Sequence, residues 1–152
     1  MKYNELRKKG GAAPSLEAAI IIGYSVGLKL ILGVGAQSMS NIAGAVVGKE
    51  LCLYALKNGY TISNLDDVEK FFKELNFANI VFKDDADSIE VTISECNICP
   101  KRIGGYEFEG TACPWGGILI GFINECLNYN LSVNLDLKPA DVCKIILNKN
   151  KK

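Results

Sequence analysis

Six cysteines in a chain without a single histidine are the residues best equipped for chemistry. Three of them fall in one stretch: Cys96 and Cys99 form a C-x-x-C pair followed by Pro100, and Cys113 returns after a glycine-rich loop, again followed by a proline. A C-x-x-C knuckle lets two thiolates meet on one cation, and a third cysteine after such a loop is common in structural zinc sites. The same spacing also suits a redox pair, or thiols that serve only as small buried hydrophobes. The absence of histidine excludes a Ser-His-Asp or Cys-His nucleophile, an H-E-x-x-H protease and a His-ligated metal, so any zinc must be held mainly by sulfur. Cys126 lies thirteen residues beyond Cys113, on the order of 20 Å along a helix, and cannot share an ion with it. A fourth ligand, if a cysteine, is then Cys143. The expected metal set is Cys96, Cys99, Cys113 and Cys143, with zinc as cofactor and no catalytic residue.

The elements that must position these thiols are legible from periodicity. Pro14 and Ser15 can open a first helix, in which Ile20, Ile21, Tyr24, Leu28 and Ile31 recur near helical spacing while apolar residues also fill the rest of its circumference. A second helix is expected from Ser38 or Ser40 to Lys57, ended by Asn58-Gly59, with Ile42, Val46, Leu53 and Leu56 as a core stripe and Cys52 packed beside Ala45 and Gly48. Ser63 with Asp66 caps a third helix bearing Leu65, Val68, Phe71, Phe72 and Leu75. Ala78 to Phe82 and Ile89, Val91 and Ile93 alternate as a hairpin around the charged turn 83–87, too poor in glycine and distal glutamate for a calcium loop. Thr111 can cap a fourth helix with Cys113 in its first turn and with Trp115, Ile118, Leu119, Phe122, Ile123 and Cys126 on one buried face. Leu131 to Leu137 and Cys143 to Leu147, around Lys138-Pro139, close the chain. The order ααα-ββ-α-ββ implies an α+β fold, an antiparallel four-stranded sheet with helices packed on it.

Composition narrows the function. The chain has 152 residues, 49% hydrophobic and 22% charged, with zero formal net charge, which fits one globular domain over 1–152 with a basic arm at 1–13 and a polar tail at 149–152. Without a basic excess, nucleic acid is not an expected partner. The N-terminal stretch imitates a secretory signal, but Lys29 splits its apolar run and leaves Ala18 to Leu28 uncharged, too short to span a membrane; a cytoplasmic protein is expected. Leu30 to Gly35 mimics a strand entering a nucleotide-binding turn, yet Ser38 stands where a third glycine belongs. Residues 15–33 carry more apolar surface than one side of a domain can cover, which predicts a homodimer through this segment. Gly116 and Gly117 directly after Cys113 suggest an apolar pocket for a small hydrophobic molecule, with Tyr106, Phe108 and Trp115 near its mouth.

Cys-Pro-Trp-Gly-Gly-Ile-Leu-Ile-Gly after the glycine loop and the closing Cys143-Lys144-Ile145-Ile146-Leu147 strand, in this element order, resemble the 4-vinyl-reductase domain family, whose fold is shared with subunits of the TRAPP vesicle-tethering complex. The resemblance covers roughly residues 38 to 148. It implies an archaeal small-molecule-binding domain with a zinc site in which Cys113 and Cys143 match family ligands. The family's acid-x-x-Cys pair is missing, because Pro139 stands three residues after Asp136, so Cys96 and Cys99 would substitute. Two alternatives stand beside a ligand-binding domain: a thiol-dependent redox enzyme or sensor using Cys96, Cys99 or Cys113, and a non-catalytic interaction subunit.

Overall fold

The computed structural model describes residues 7–8, 15–134 and 140–151. In chain order the elements are β1 (Arg7–Lys8), α1 (Leu16–Leu32), α2 (Ala36–Lys57), α3 (Leu65–Glu74), β2 (Asn79–Asp84), β3 (Ser88–Ser94), β4 (Tyr106–Glu107), α4 (Trp115–Leu127), β5 (Leu131–Val133) and β6 (Cys143–Lys149), with one 3-10 turn, Gly33–Gly35, between α1 and α2. The main sheet runs β2-β3-β6-β5, and every neighbouring pair is antiparallel. This is the expected α+β architecture with the expected order of helices and strands. A two-stranded ribbon is added, because Arg7 and Lys8 of the basic arm pair with Glu107 and Tyr106.

Strand alternation sets one face of the sheet inward. Ile80, Ile89, Val91, Ile93, Ile145 and Leu147 are buried, and they meet Val68, Phe71 and Phe72 of α3 and Trp115, Ile118, Leu119, Phe122 and Ile123 of α4. Aromatic rings knit the two helices together: Phe71 stacks on Phe122 at 5.0 Å, and Phe72 meets Trp115 edge-on at 5.5 Å. Such pairs add about 0.5–1.5 kcal/mol beyond the area they bury. The capping pair of α3 lies one residue later than expected. Asn64 accepts from the Asp67 amide at 3.0 Å while the Asp67 carboxylate accepts from the Ser63 amide at 2.9 Å.

Helix α2 begins at Ala36, earlier than its serines suggest, and turns a different face inward. Its buried residues are Ala36, Gln37, Ser40, Asn41, Gly44, Gly48, Cys52 and Ala55, whereas Ile42, Val46 and Leu56 of the supposed core stripe are exposed. The reason is its glycines. A β-carbon at Gly44 would lie 2.5 Å from the Pro114 carbonyl oxygen, and one at Gly48 would fall on that of Ile118. Only a bare backbone allows helices to meet this closely. Once Gly44 and Gly48 face α4, the side chains on the opposite side of α2 must point out. Pro14, Leu135, Leu137 and the Lys138-Pro139 turn lie outside the described residues.

Candidate functional site: a cysteine corner and an outward apolar face

Helix α4 starts at Trp115, so Cys113 stands just ahead of it, outside its first turn. The backbone of Cys113 is clamped by one side chain of α2: its N–H donates to Gln37 Oε1 at 2.9 Å, and its carbonyl accepts from Gln37 Nε2 at 2.8 Å. Trp115 is 1% exposed, and its indole N–H donates to Cys96 Sγ at 3.1 Å, which ties the knuckle to the start of α4. Cys99 Sγ accepts from the Arg102 amide at 3.4 Å, and Arg102 reaches the Asp141 carbonyl at 3.1 Å, beside the start of β6. Cys99, Cys113 and Cys143, with Pro100, Lys101, Phe108, Thr111 and Ala112, enclose an apolar cavity of about 30 Å³.

The expected zinc site is not formed. Among the described residues no three or more cysteine, aspartate or glutamate side chains are grouped to hold a metal ion. A zinc site needs four ligands converging on one point at about 2.0–2.3 Å. Here the thiols gather in one region but turn to separate partners: Cys96 to Trp115, Cys99 to Arg102, and Cys143, which donates to the Ala140 carbonyl at 3.4 Å. Burial pushes up the Cys96 and Cys113 thiols, and the indole N–H only partly offsets this at Cys96. Both thus favour the neutral thiol over a free nucleophilic thiolate. Cys113 keeps part of its residue surface accessible while its thiol is enclosed.

The other two cysteines form a disulfide, Cys52–Cys126, between α2 and α4 with Cα atoms 5.9 Å apart. Sequence reasoning placed both as packing residues and missed the bond. Their small-residue neighbours were the one available signal, since Cys126 closes the apolar face of a helix that the glycines draw onto α2.

The residues expected at a pocket mouth are filled in. A β-carbon at Gly116 would lie 2.8 Å from Val133 Cγ2, and one at Gly117 would fall on the Asn41 carbonyl oxygen. Neither glycine nor Trp115 lines the small cavity; of the expected aromatics only Phe108 does. Tyr106 and Phe108 pack instead beneath α1, with Ile22, Val26, Leu30 and Ile103.

Helix α1 turns Ser25 and Lys29 inward. Ala18, Ile22, Ser25, Val26 and Lys29 face the protein, and Lys29, 3% exposed, donates to the Gly33 carbonyl at 3.0 Å. On the opposite side Leu16, Ile20, Tyr24 and Ile31 are exposed, and Gly23 and Gly27 lie among them with nothing within 4 Å of where a β-carbon would be. Val34, at the turn, is 99% exposed, and Met39, Ile42 and Val46 continue the apolar surface along α2. Between Glu17 and Lys49 the only charged residue is Lys29, which is turned inward, so the outer surface between those two carries no charge; the exposed Glu17 marks its edge. The helical stretch Leu16–Lys57 is long and apolar enough to cross a membrane by length and composition, which the eleven-residue uncharged run alone did not suggest.

The MJ0207 family's sequence model matches residues 18–149. Protein MJ0207 of Methanocaldococcus jannaschii is 58% identical over 147 residues, 97% of either chain. Protein MJ1342 of the same organism is 30% identical over 107 residues, 69% of this chain and 90% of its own. The chain belongs to the MJ0207 family. This corrects the resemblance to the 4-vinyl-reductase domain family, which rested on two short stretches and on an element order that unrelated α+β chains can share. The zinc ligand roles carried over with it fall too.

Proposed function

We propose that this member of the MJ0207 family is a non-catalytic assembly subunit that pairs with a second copy of itself through the outer face of α1 and the adjoining face of α2. The observation that carries the reading is the uncharged, apolar exterior between Glu17 and Lys49, set over a core that is already filled. Monomeric proteins rarely expose contiguous apolar patches beyond a few hundred Å². Leu16, Ile20, Tyr24, Ile31, Val34, Met39, Ile42 and Val46, each 40% exposed or more, amount to on the order of 500 Å² of apolar side-chain area. A standard interface takes about 800 Å² from each partner, rather more than half of it apolar, so the match is close.

A second copy is favoured over a lipid surface by Gly23 and Gly27. The chain already uses glycines four residues apart to bring helices together, with Gly44 against Gly117 and Gly48 against the backbone of Ile118 and Phe122. Gly23 and Gly27 repeat that spacing on the outer face of α1 and are open. A notch of this kind serves backbone-to-backbone packing of another helix; a bilayer has no use for it. Light scattering should give a dimer for the native chain and a folded monomer for Ile20→Glu. A monomer at every workable concentration would sink the reading, and so would co-flotation of the monomer with phosphatidylglycerol vesicles, which would assign the face to lipid.

A further inference from the structure

Lys29 is a buried cation that assembly leaves without a role. Its ammonium donates to the Gly33 carbonyl at 3.0 Å and lies 5.5 Å from the centre of the Phe108 ring, while Lys101 approaches the same ring at 4.9 Å. Two cations gathered around one aromatic repel each other. Lys101 shows the cost, its pKa lowered first by burial and then by the Lys29 charge. Among the described residues neither lysine takes part in an ion pair. Burying a charge is expensive unless an opposite charge and hydrogen bonds repay it, and one carbonyl uses only one of the three ammonium protons.

A groove of about 380 Å³ opens at this point, within the range of small-ligand sites. Lys29, Gly33, Val34, Gln37, Ser38, Glu109, Gly110 and Thr111 line it. Gly110, at φ +73°, brings its Cα close to the ammonium: a β-carbon there would lie 3.5 Å from Lys29 Nζ. The ammonium end of Lys29 is therefore at the groove, whose lining also carries the hydroxyl-bearing Ser38 and Thr111 and the apolar Val34.

We infer that this groove binds a small organic monocarboxylate, its carboxylate on the Lys29 ammonium between the Ser38 and Thr111 hydroxyls and its apolar part against Val34. The single charge follows from Glu109, which lines the same groove and repels a dianion more than a monoanion. The site meets the proposed pairing face at Val34 alone, and its test reads Lys29, Gly110 and Thr111, which are not part of that face.

Titration of ¹⁵N-labelled protein with sodium benzoate at constant ionic strength should give saturable shifts confined to the amides of Gly33, Gly110 and Thr111. Lys29→Met should weaken binding about tenfold or more, as loss of a hydrogen bond to a charged group implies. Glu109→Gln should tighten it, and inorganic phosphate should bind less well than benzoate. Scattered or non-saturating shifts would overturn the inference, as would unchanged affinity in Lys29→Met. If Lys29→Met does not fold, Glu109→Lys decides: it should bind benzoate more tightly and admit phosphate, and an unchanged response overturns the site.

Discussion

Gly117 of α4 rests on the backbone of Asn41 of α2 so closely that a β-carbon would overlap the Asn41 carbonyl oxygen, and Gly121 stands in the same way over Ala45 one turn later. With Gly44 and Gly48 facing back, the two helices interlock through four glycines. Neither backbone can shift without moving the disulfide and the Cys113 clamp.

Gly117→Ala or Gly48→Ala should therefore cost about 3 kcal/mol or more, at the upper end for overpacking, because the obstacle is backbone and not a movable side chain. In a chain of this size that corresponds to a fall in Tm of about 6–12 °C. Gly23→Ala, with open space over it, should leave the monomer as stable or up to about 1 kcal/mol more stable through helix propensity. Thermal melts of the three variants side by side, each in the monomeric Ile20→Glu background, check the contrast; equal losses would mean that the interlock is not what joins α2 to α4.

Gln37 satisfies both backbone groups of Cys113 and also donates to Asn41 Oδ1 at 3.0 Å. Gln37→Leu keeps much of the volume and leaves the Cys113 amide and carbonyl without that partner. An orphaned buried group costs about 1–3 kcal/mol, so a loss of about 2–4 kcal/mol is expected by denaturant unfolding. Amide exchange at Cys113 should rise in step.

The Cys52–Cys126 disulfide closes a separation of 74 residues. Constraining a loop of that length stabilises the folded state by about 4 kcal/mol in the chain-entropy account. Reduction, or the paired change Cys52→Ala with Cys126→Ala, should lower Tm by about 8–16 °C. Mass spectrometry after alkylation without reductant should find Cys52 and Cys126 unmodified.

Thiol labelling should separate the remaining four cysteines. In the native protein a maleimide should reach Cys99 and Cys143, which are half-buried, before Cys96 and Cys113, whose thiols are enclosed. Burial raises the folded-state pKa of both enclosed thiols, so folding favours their protonated form. That contribution is intact below the ordinary thiol pKa of about 8.5 and is lost as pH rises above it, because the unfolded chain then releases protons that the folded chain retains. Stability should decline above about pH 8.5, less steeply in Cys113→Ala. Rapid labelling of all four would contradict the enclosure.

What the sequence determined by itself is what a single period encodes. Val68, Phe71 and Phe72 mark the inner face of α3, and Ile89, Val91 and Ile93 mark that of β3, because each stretch has one apolar side and one polar side. The class and order of the elements followed from those patterns and the turns between them. Tertiary structure decided the rest. Helix α1 is apolar on more than one side, so periodicity offered no choice of inner face; on α2 it pointed to the wrong face, because contact of Gly44 and Gly48 with α4 turned the polar and small residues inward and sent Ile42 and Val46 outward. The pairing of Cys52 with Cys126 joins residues 74 positions apart, a proximity no local spacing carries. The C-x-x-C knuckle was legible as a pair, but whether its sulfurs meet Cys113 and Cys143 at one point was a matter of tertiary packing, which among the described residues groups no three such ligands to hold an ion.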